Sequence, residues 1–332
     1  MAVADLILKN GENTMKEIVI GIDIGGTYTK FGAVDRSGAS LAEDSIPTSE
    51  HEKAEDFVSR LAEKINAMLA GLPRDLGLKG IGIGVPNGNF FRGTVEFAPN
   101  LRWKGIVPLA DIFRNHFDLP VYLTNDANAA ALGEMIYGGA QGMKDFVLIT
   151  LGTGLGSGIV VNGQMVYGHD GFAGELGHTI VDPAGRECGC GKRGCLETYV
   201  SATGIRRTVF ELMAEYISES SMRNISFNDL TARMISEAAE KGDSLALEAF
   251  ERTGRILAMK LADTVAHVSP QAIFLFGGLA GAGDLILEPV RRHLEEYLLP
   301  IYRGKVRILP SQLSEINAAI AGAGALVWNA LT

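Results

Sequence analysis

EIVIGIDIGGTYTKFGAVDRSG (Glu17–Gly38) reads as a strand from Ile18 to Ile24, a tight turn at Gly25 and Gly26, and a second strand from Tyr28 to Val34. The period of two puts Asp23 on the face opposite Ile22 and Ile24, at the strand's end. A carboxylate there needs a partner such as a metal ion or solvent. Glycines in such a turn let backbone N–H groups approach a phosphate, and Thr27 and Lys30 add a hydroxyl and a positive charge. Taken alone, the segment is equally an ordinary hairpin with a type I′ or II′ turn.

The design recurs in FVLITLGTGLGSGIVVNGQMVYG (Phe146–Gly168). A β-rich run from Phe146 to Leu151 meets Gly152, Thr153 and Gly154, and a second strand leads to Asn162-Gly163, a strong hairpin signal. Neither turn is a Walker A loop, because no Gly-Lys-Ser/Thr ending follows. Neither is a dinucleotide fingerprint, because a strand and not a helix comes next. Two such units predict two related halves holding the phosphates of one nucleotide between them. A third glycine element, the apolar strand Ile273–Phe276 with Gly277 and Gly278 after it, leads to a helix around Leu285–Leu298. Ligands in α/β sheets sit at such carboxyl ends.

A chain of 332 residues suits two domains or one large one. Its 41 glycines exceed ordinary usage and suggest many tight turns near a ligand. With 39 acidic and 30 basic residues the net charge is -9, which excludes a broad nucleic-acid footprint and argues against a membrane partner. No stretch approaches the roughly 18 consecutive apolar residues of a membrane helix. The first fifteen residues carry Asp5 and lack the basic start and long apolar core of a signal peptide. Residues 1–14 are assigned no function, and the protein is expected in the cytoplasm.

LPVYLTNDANAAALGEMIYGG (Leu119–Gly139) gives a strand at Val121–Leu123 and an alanine-rich helix beginning near Asn128. Asp126 lies at the junction. It is either a helix cap, as is Asn128, or a general base for a substrate hydroxyl, with Asn125 orienting that substrate. Phosphoryl transfer is mostly positioning and charge stabilisation, so one placed carboxylate, Mg²⁺ and phosphate-cradling turns are sufficient equipment.

All three cysteines fall within CGCGKRGCLE (Cys188–Glu197). A disulfide would leave one thiol over, and zinc favours four N or S ligands in a closed structural site. Cys188, Cys190 and Cys195 need one more ligand; His178 in GFAGELGHTIVD (Gly171–Asp182) is the nearest candidate and His169 the less well placed one. With the loop pinned, Glu175 and Glu197 can offer carboxylates to a polyhydroxylated ligand and the His178 ring can donate to another hydroxyl. Otherwise these glutamates are solvated loop charges.

Together DIGGTYTK (Asp23–Lys30), TNDANAAALGE (Thr124–Glu134), LGTGLGSGIVVNG (Leu151–Gly163), GELGH (Gly174–His178) and CGCGKRGCLE resemble the ROK family of sugar kinases and repressors, from about Glu17 onward. The resemblance implies an actin-like, ribonuclease H-like α/β ATPase fold with two lobes around a nucleotide and sugar cleft. The lobes are 17–124, completed by a C-terminal helix at 316–332, and 125–315 with the zinc loop. It implies Asp126 as catalytic base, sugar contacts from Asn125, Glu175, His178, Glu197 and Gly88, and zinc on His178, Cys188, Cys190 and Cys195. Gly25, Gly26, Thr27, Lys30, Thr153 and Gly154 would surround the ATP phosphates, Gly277 and Gly278 the nucleoside, and Asp23 would hold Mg²⁺ through water. In GVPNGN (Gly84–Asn89), Asn87 stands where family kinases have a glycine. PNLRWKGIVPL (Pro99–Leu109) is similar to the glucokinase segment, which favours glucose over N-acetylmannosamine, N-acetylglucosamine or fructose.

Helices are expected at 52–69, where Phe57, Leu61, Ile65 and Met68 share a face, and at 202–218 and 245–268. The function expected is a hexose kinase, as a homodimer by the resemblance. A sugar-sensing repressor of the same family carries an N-terminal helix-turn-helix, for which residues 1–16 leave no room. A nucleotide-driven binding protein like the actin or chaperone ATPases has no need of a zinc-braced GELGH loop.

Overall fold

The computed structural model describes residues 16–313 and 315–331; the tail at 1–14 lies outside them. Strand β1 (Lys16–Ile24) pairs antiparallel with β2 (Tyr28–Asp35), which pairs with β3 (Ser40–Pro47). Helix α1 (Ala54–Ala70) starts two residues later than its apolar spacing suggests and buries Phe57, Leu61 and Ile65 in one cluster with Ile20 and Ile22. Strand β4 (Leu76–Gly84) runs parallel to β1. Then β5 (Gly88–Asn89), β6 (Thr94–Glu96) and β7 (Ile106–Val107) form a small antiparallel sheet, followed by helix α2 (Leu109–Arg114). Strand β8 (Val121–Thr124) closes the first large sheet, whose order is β3-β2-β1-β4-β8.

Helix α3 (Asp126–Tyr137) leads to β9 (Phe146–Leu151), β10 (Leu155–Val161) and β11 (Gln164–Met165). After the cysteine loop come α4 (Ala202–Glu215), α5 (Ala232–Glu240), α6 (Ser244–Val268), β12 (Ala272–Phe276), α7 (Asp284–Tyr297) and β13 (Arg307–Pro310). The second sheet has the order β11-β10-β9-β12-β13, an antiparallel three-strand meander with two parallel strands beyond its first member. The first sheet has the same topology, so the two related halves read from the repeated hairpin are present. Asn162 and Gly163 both take positive φ at the β10–β11 turn, as a type I′ hairpin requires. Helix α4 stops three residues short of Ser218 because the Arg223 guanidinium draws in the carbonyls of Met213, Tyr216 and Ser218.

Helix α8 (Glu315–Ala330) packs on β1, β4 and α3. Its approach to the sheet is glycine-dependent: a Cβ on Gly21 would fall 1.9 Å from the Ile320 carbonyl oxygen, and one on Gly82 1.9 Å from that of Ala323. Gly133 and Gly322 bring α3 and α8 together in the same way. Part of the glycine excess read as turns near a ligand therefore serves helix seating, where removing a side chain lets backbones touch. Among the described residues no helix is long and apolar enough to cross a membrane.

Candidate active site

In the first large sheet, Asp23 of β1, Gly84 of β4 and Thr124 of β8 stand side by side in register. Asp126 follows two residues after Thr124. Gly84 keeps the space between the aspartates narrow, since a Cβ there would lie 3.2 Å from Ala129 Cβ and 3.7 Å from Asp126 Cα. Helix α3 starts at Asp126, earlier than the Asn128 expected, because Asn125 is its N-cap: the Asn125 Oδ1 accepts from the Ala127 N–H at 2.9 Å. Asp126 Oδ1 shares that donor at 2.8 Å, yet the residue is exposed. With Asn125 capping, α3 does not depend on Asp126 for its cap. Protein packed around it raises its pKa, partly countered by the Ala127 N–H. Burial, and then the Asp126 charge, push Asp23 up to about 6, against a smaller opposing pull from Lys30, its cross-strand partner.

The glycine turns owe their composition to different causes. Neither Gly25 nor Gly26 takes a positive φ; Gly26 is required because a Cβ would sit 2.7 Å from the Asn100 carbonyl oxygen, in the Pro99–Leu109 segment. Thr27 and Lys30 are exposed beside it. In the second turn, Gly152 and Thr153 are exposed, and their carbonyls accept from the Ala202 N–H and the Thr203 hydroxyl at the start of α4. Gly277 (φ 101°) follows β12, the parallel neighbour of β9, and lies against Leu151, so it adjoins the Gly152 turn.

His178, Cys188, Cys190 and Cys195 offer ligand atoms that all lie within 4.8 Å of one another. The Cys190 and Cys195 sulfurs are 3.6 Å apart, too far for a disulfide, and Cys188 Sγ is 3.7 Å from His178 Nδ1. A tetrahedron with metal–sulfur bonds of about 2.3 Å and a metal–nitrogen bond of about 2.0 Å has edges of about 3.5–3.8 Å. The four side chains fit such an ion. The loop is shaped by Gly191 (φ 88°) and Gly194 (φ 70°) and tied back by Lys192 Nζ on the His178 carbonyl at 2.9 Å.

With Nδ1 on the cysteine side, His178 Nε2 points to Glu175, 4.0 Å from Oε2. Glu175 is accessible to solvent, yet protein packed near it raises its pKa, the nearby His178 opposing and Asp126 and Glu197 adding to the rise. Glu197 is more withdrawn. Its Oε1 accepts from the Cys188 thiol at 2.9 Å, while Oε2 occupies the space where a Gly154 Cβ would be, 2.6 Å away. It thus touches the cysteine loop and the second glycine turn together. Gly88, expected to face the sugar, donates its N–H to the Val85 carbonyl at 3.1 Å, and a Cβ on it would collide with Thr124 backbone at 2.5 Å. That glycine lets the turn lie on β8. Asn87 adopts φ 53°, and its Nδ2 donates to the Glu96 carbonyl at 2.9 Å, which explains how a non-glycine residue fills the position. Sequence reasoning missed Asn89, Phe90 and Tyr167, which join the small sheet to the segment before Glu175; no local pattern marks them.

The profile of the ROK family matches residues 19–330. The chain belongs to the ROK family. It is 36% identical over 312 residues to the glucokinase of Halalkalibacterium halodurans, covering 93% of this chain and 94% of that one. Its fold resembles the structure of a ROK family glucokinase from Streptomyces griseus in complex with glucose and AMPPNP, with a TM-score of 0.77, 35% identity, and coverage of 94% and 99% of the two chains. It also resembles a ROK family transcriptional regulator homologous to the E. coli MLC protein, with a TM-score of 0.85, 28% identity, and coverage of 96% and 79%. The doubled sheet is that of the actin-like ATPase fold of ROK sugar kinases.

Proposed function

We propose that this ROK protein is an ATP-dependent hexose kinase, a glucokinase that transfers the γ-phosphate to the 6-hydroxyl of glucose. The observation that carries the reading is Asp126: exposed, relieved of capping by Asn125, and within electrostatic reach of Asp23 and Glu175. Relatives of similar length that bear the name glucokinase support the choice of sugar.

In this reading Asn125, Glu175 and His178 orient the sugar. The Asp126 carboxylate takes the proton of the 6-hydroxyl as that oxygen bonds to the γ-phosphorus, the bond from phosphorus to the bridging oxygen breaks, and ADP leaves. Gly25, Gly26, Thr27, Lys30, Thr153 and Gly154 hold the phosphates, and Gly277 and Gly278 border the nucleoside. Mg²⁺, held through water by Asp23, would neutralise phosphate charge. Zn²⁺ on His178, Cys188, Cys190 and Cys195 would brace the loop, with all four positions filled by protein. Residues 17–124 with α8 would form one lobe and 125–315 the other, in a cytoplasmic homodimer; light scattering checks the dimer.

A sugar-sensing regulator is the second reading, favoured by the likeness to the ROK regulator. ADP release with Mg²⁺-ATP, measured against glucose, N-acetylglucosamine, N-acetylmannosamine, fructose and no sugar, decides between them. Strong stimulation by glucose supports the glucokinase, and stimulation by another hexose reassigns the substrate. No stimulation in a folded, zinc-replete sample favours the regulator.

A further inference from the structure

Three segments expected to face the hexose meet at a fourth place that none of them contains. Asn89 is fully buried at the end of β5, and both its amide oxygen and its amide nitrogen are hydrogen-bonded. Its Oδ1 accepts from the N–H groups of Phe91 and Arg92 at 3.1 and 3.2 Å, closing its own turn, and its Nδ2 donates to the Asp170 carbonyl at 2.7 Å, 81 residues away. Gly171, at φ 93°, packs directly on that amide, and a Cβ there would be 2.8 Å from Asn89 Oδ1. One residue on, the Phe90 ring stacks on Tyr167 with centroids 4.2 Å apart and planes within 3°, and Phe91 meets the same ring edge-on at 5.8 Å.

From this clasp the chain runs without slack to the acids. The Tyr167 carbonyl accepts from the Ala173 N–H at 3.0 Å, closing the loop before Gly174, and the Gly174 carbonyl accepts from the Ser157 hydroxyl of β10. Glu175 is the next residue. On the other side, the Tyr167 phenol contacts the buried side chain of Thr124, two residues before Asp126, and the Thr124 hydroxyl accepts from Asn128 at 3.3 Å. The Asn87 turn lies two residues before Asn89.

We infer that Asn89 and Phe90, clasped to Asp170 and Tyr167, are positioning residues for hexose binding: they set the distance from Glu175 to the Asn125–Asp126 corner. The inference rests on the kinase reading. The Asn89 amide is buried, so losing its hydrogen bond to the Asp170 carbonyl would leave that amide group unpaired away from water. A side-chain set held this way keeps its geometry before substrate arrives, which lowers the ordering cost of binding.

The test uses Asn89→Ala and, because that change also opens the Phe91 turn and risks misfolding, Phe90→Leu, which keeps the apolar fill and removes the stack. Two readouts are taken on the full chain: amide hydrogen exchange across 168–175, and steady-state kinetics with glucose and ATP varied separately. The expected result is exchange about tenfold faster in that segment, a glucose KM raised roughly five- to thirtyfold for Asn89→Ala, kcat within about threefold, and an unchanged KM for ATP. Unchanged exchange in folded variants overturns the clasp itself. Faster exchange with glucose KM within twofold of the parent overturns the positioning role, as does a matching rise in the KM for ATP. A parent that phosphorylates no hexose refutes the kinase reading instead, and the exchange readout still decides whether the clasp exists.

Discussion

Asp23 at the end of β1 and Asp126 at the start of α3 lie on either side of Gly84, and the Asp126 charge adds to the burial that pushes Asp23 up to about 6. A pKa raised in the folded state means that folding disfavours the carboxylate. Stability is then fullest below the ordinary Asp value of 3.8 and declines as pH rises through about 6. Asp23→Asn should therefore raise stability by about 2–3 kcal/mol at pH 7.5 and by little at pH 4, while phosphoryl transfer collapses. Thermal unfolding at the two pH values checks this; an equal gain at both would remove the electrostatic explanation.

Asp126→Asn should lower kcat by about a hundredfold or more and leave glucose affinity, measured by calorimetry without ATP, near that of the parent. The melting temperature should not fall, because Asn125 still caps α3 and the substitution removes a carboxylate that packing and Asp23 disfavour. Turnover close to normal would demote Asp126 to part of the cap.

Replacing Cys190 tests the cysteine loop. Cys190→Ala should release the metal, as read by elemental analysis, and weaken glucose binding through a loosened Glu175–His178 turn. Because Glu197 lies against both Cys188 and Gly154, affinity for a nonhydrolysable ATP analogue should fall as well. A metal-free variant with parental glucose affinity would sever the loop from substrate binding.

Asn87 offers a conformational test. Asn87→Gly relieves the left-handed backbone but loses the bond to Glu96, so the two nearly cancel, within about 1 kcal/mol. Asn87→Ala loses the bond and keeps the strain, costing about 1–2 kcal/mol. Since the side chain points at the Glu96 carbonyl, the order of preference among hexoses should not change with Gly. A switch of preferred sugar would show that the amide reaches the substrate.

Much of this arrangement was legible in the sequence because its signals are local. The two glycine hairpins, the Asn162-Gly163 turn and the cysteine run each lie within a short span, where spacing alone limits the geometry. The N-terminus of α3 lies two residues before the expected one because Asn125, Asp126 and Asn128 all suit a cap, and it is the extended backbone of Asn125, just ahead of the first helical residue, that distinguishes it. Gly88 carried no local sign that its neighbour would be Thr124. The pairing of Asn89 with Asp170 and of Phe90 with Tyr167 depends on two sheets being assembled first, so no window of sequence contains it.

The seat formed by Gly21 and Gly82 is filled by backbone from Ile320 and Ala323, so the groove and the helix that covers it are separated by nearly all of the described chain. During synthesis the ribosome makes the groove early and its cover late. Until α8 emerges, an apolar sheet face flanked by bare glycine backbone waits open, which is the kind of surface that slows folding and invites association. Yield in the cell should accordingly depend on chaperones that shield the first half of the molecule while the second is being made.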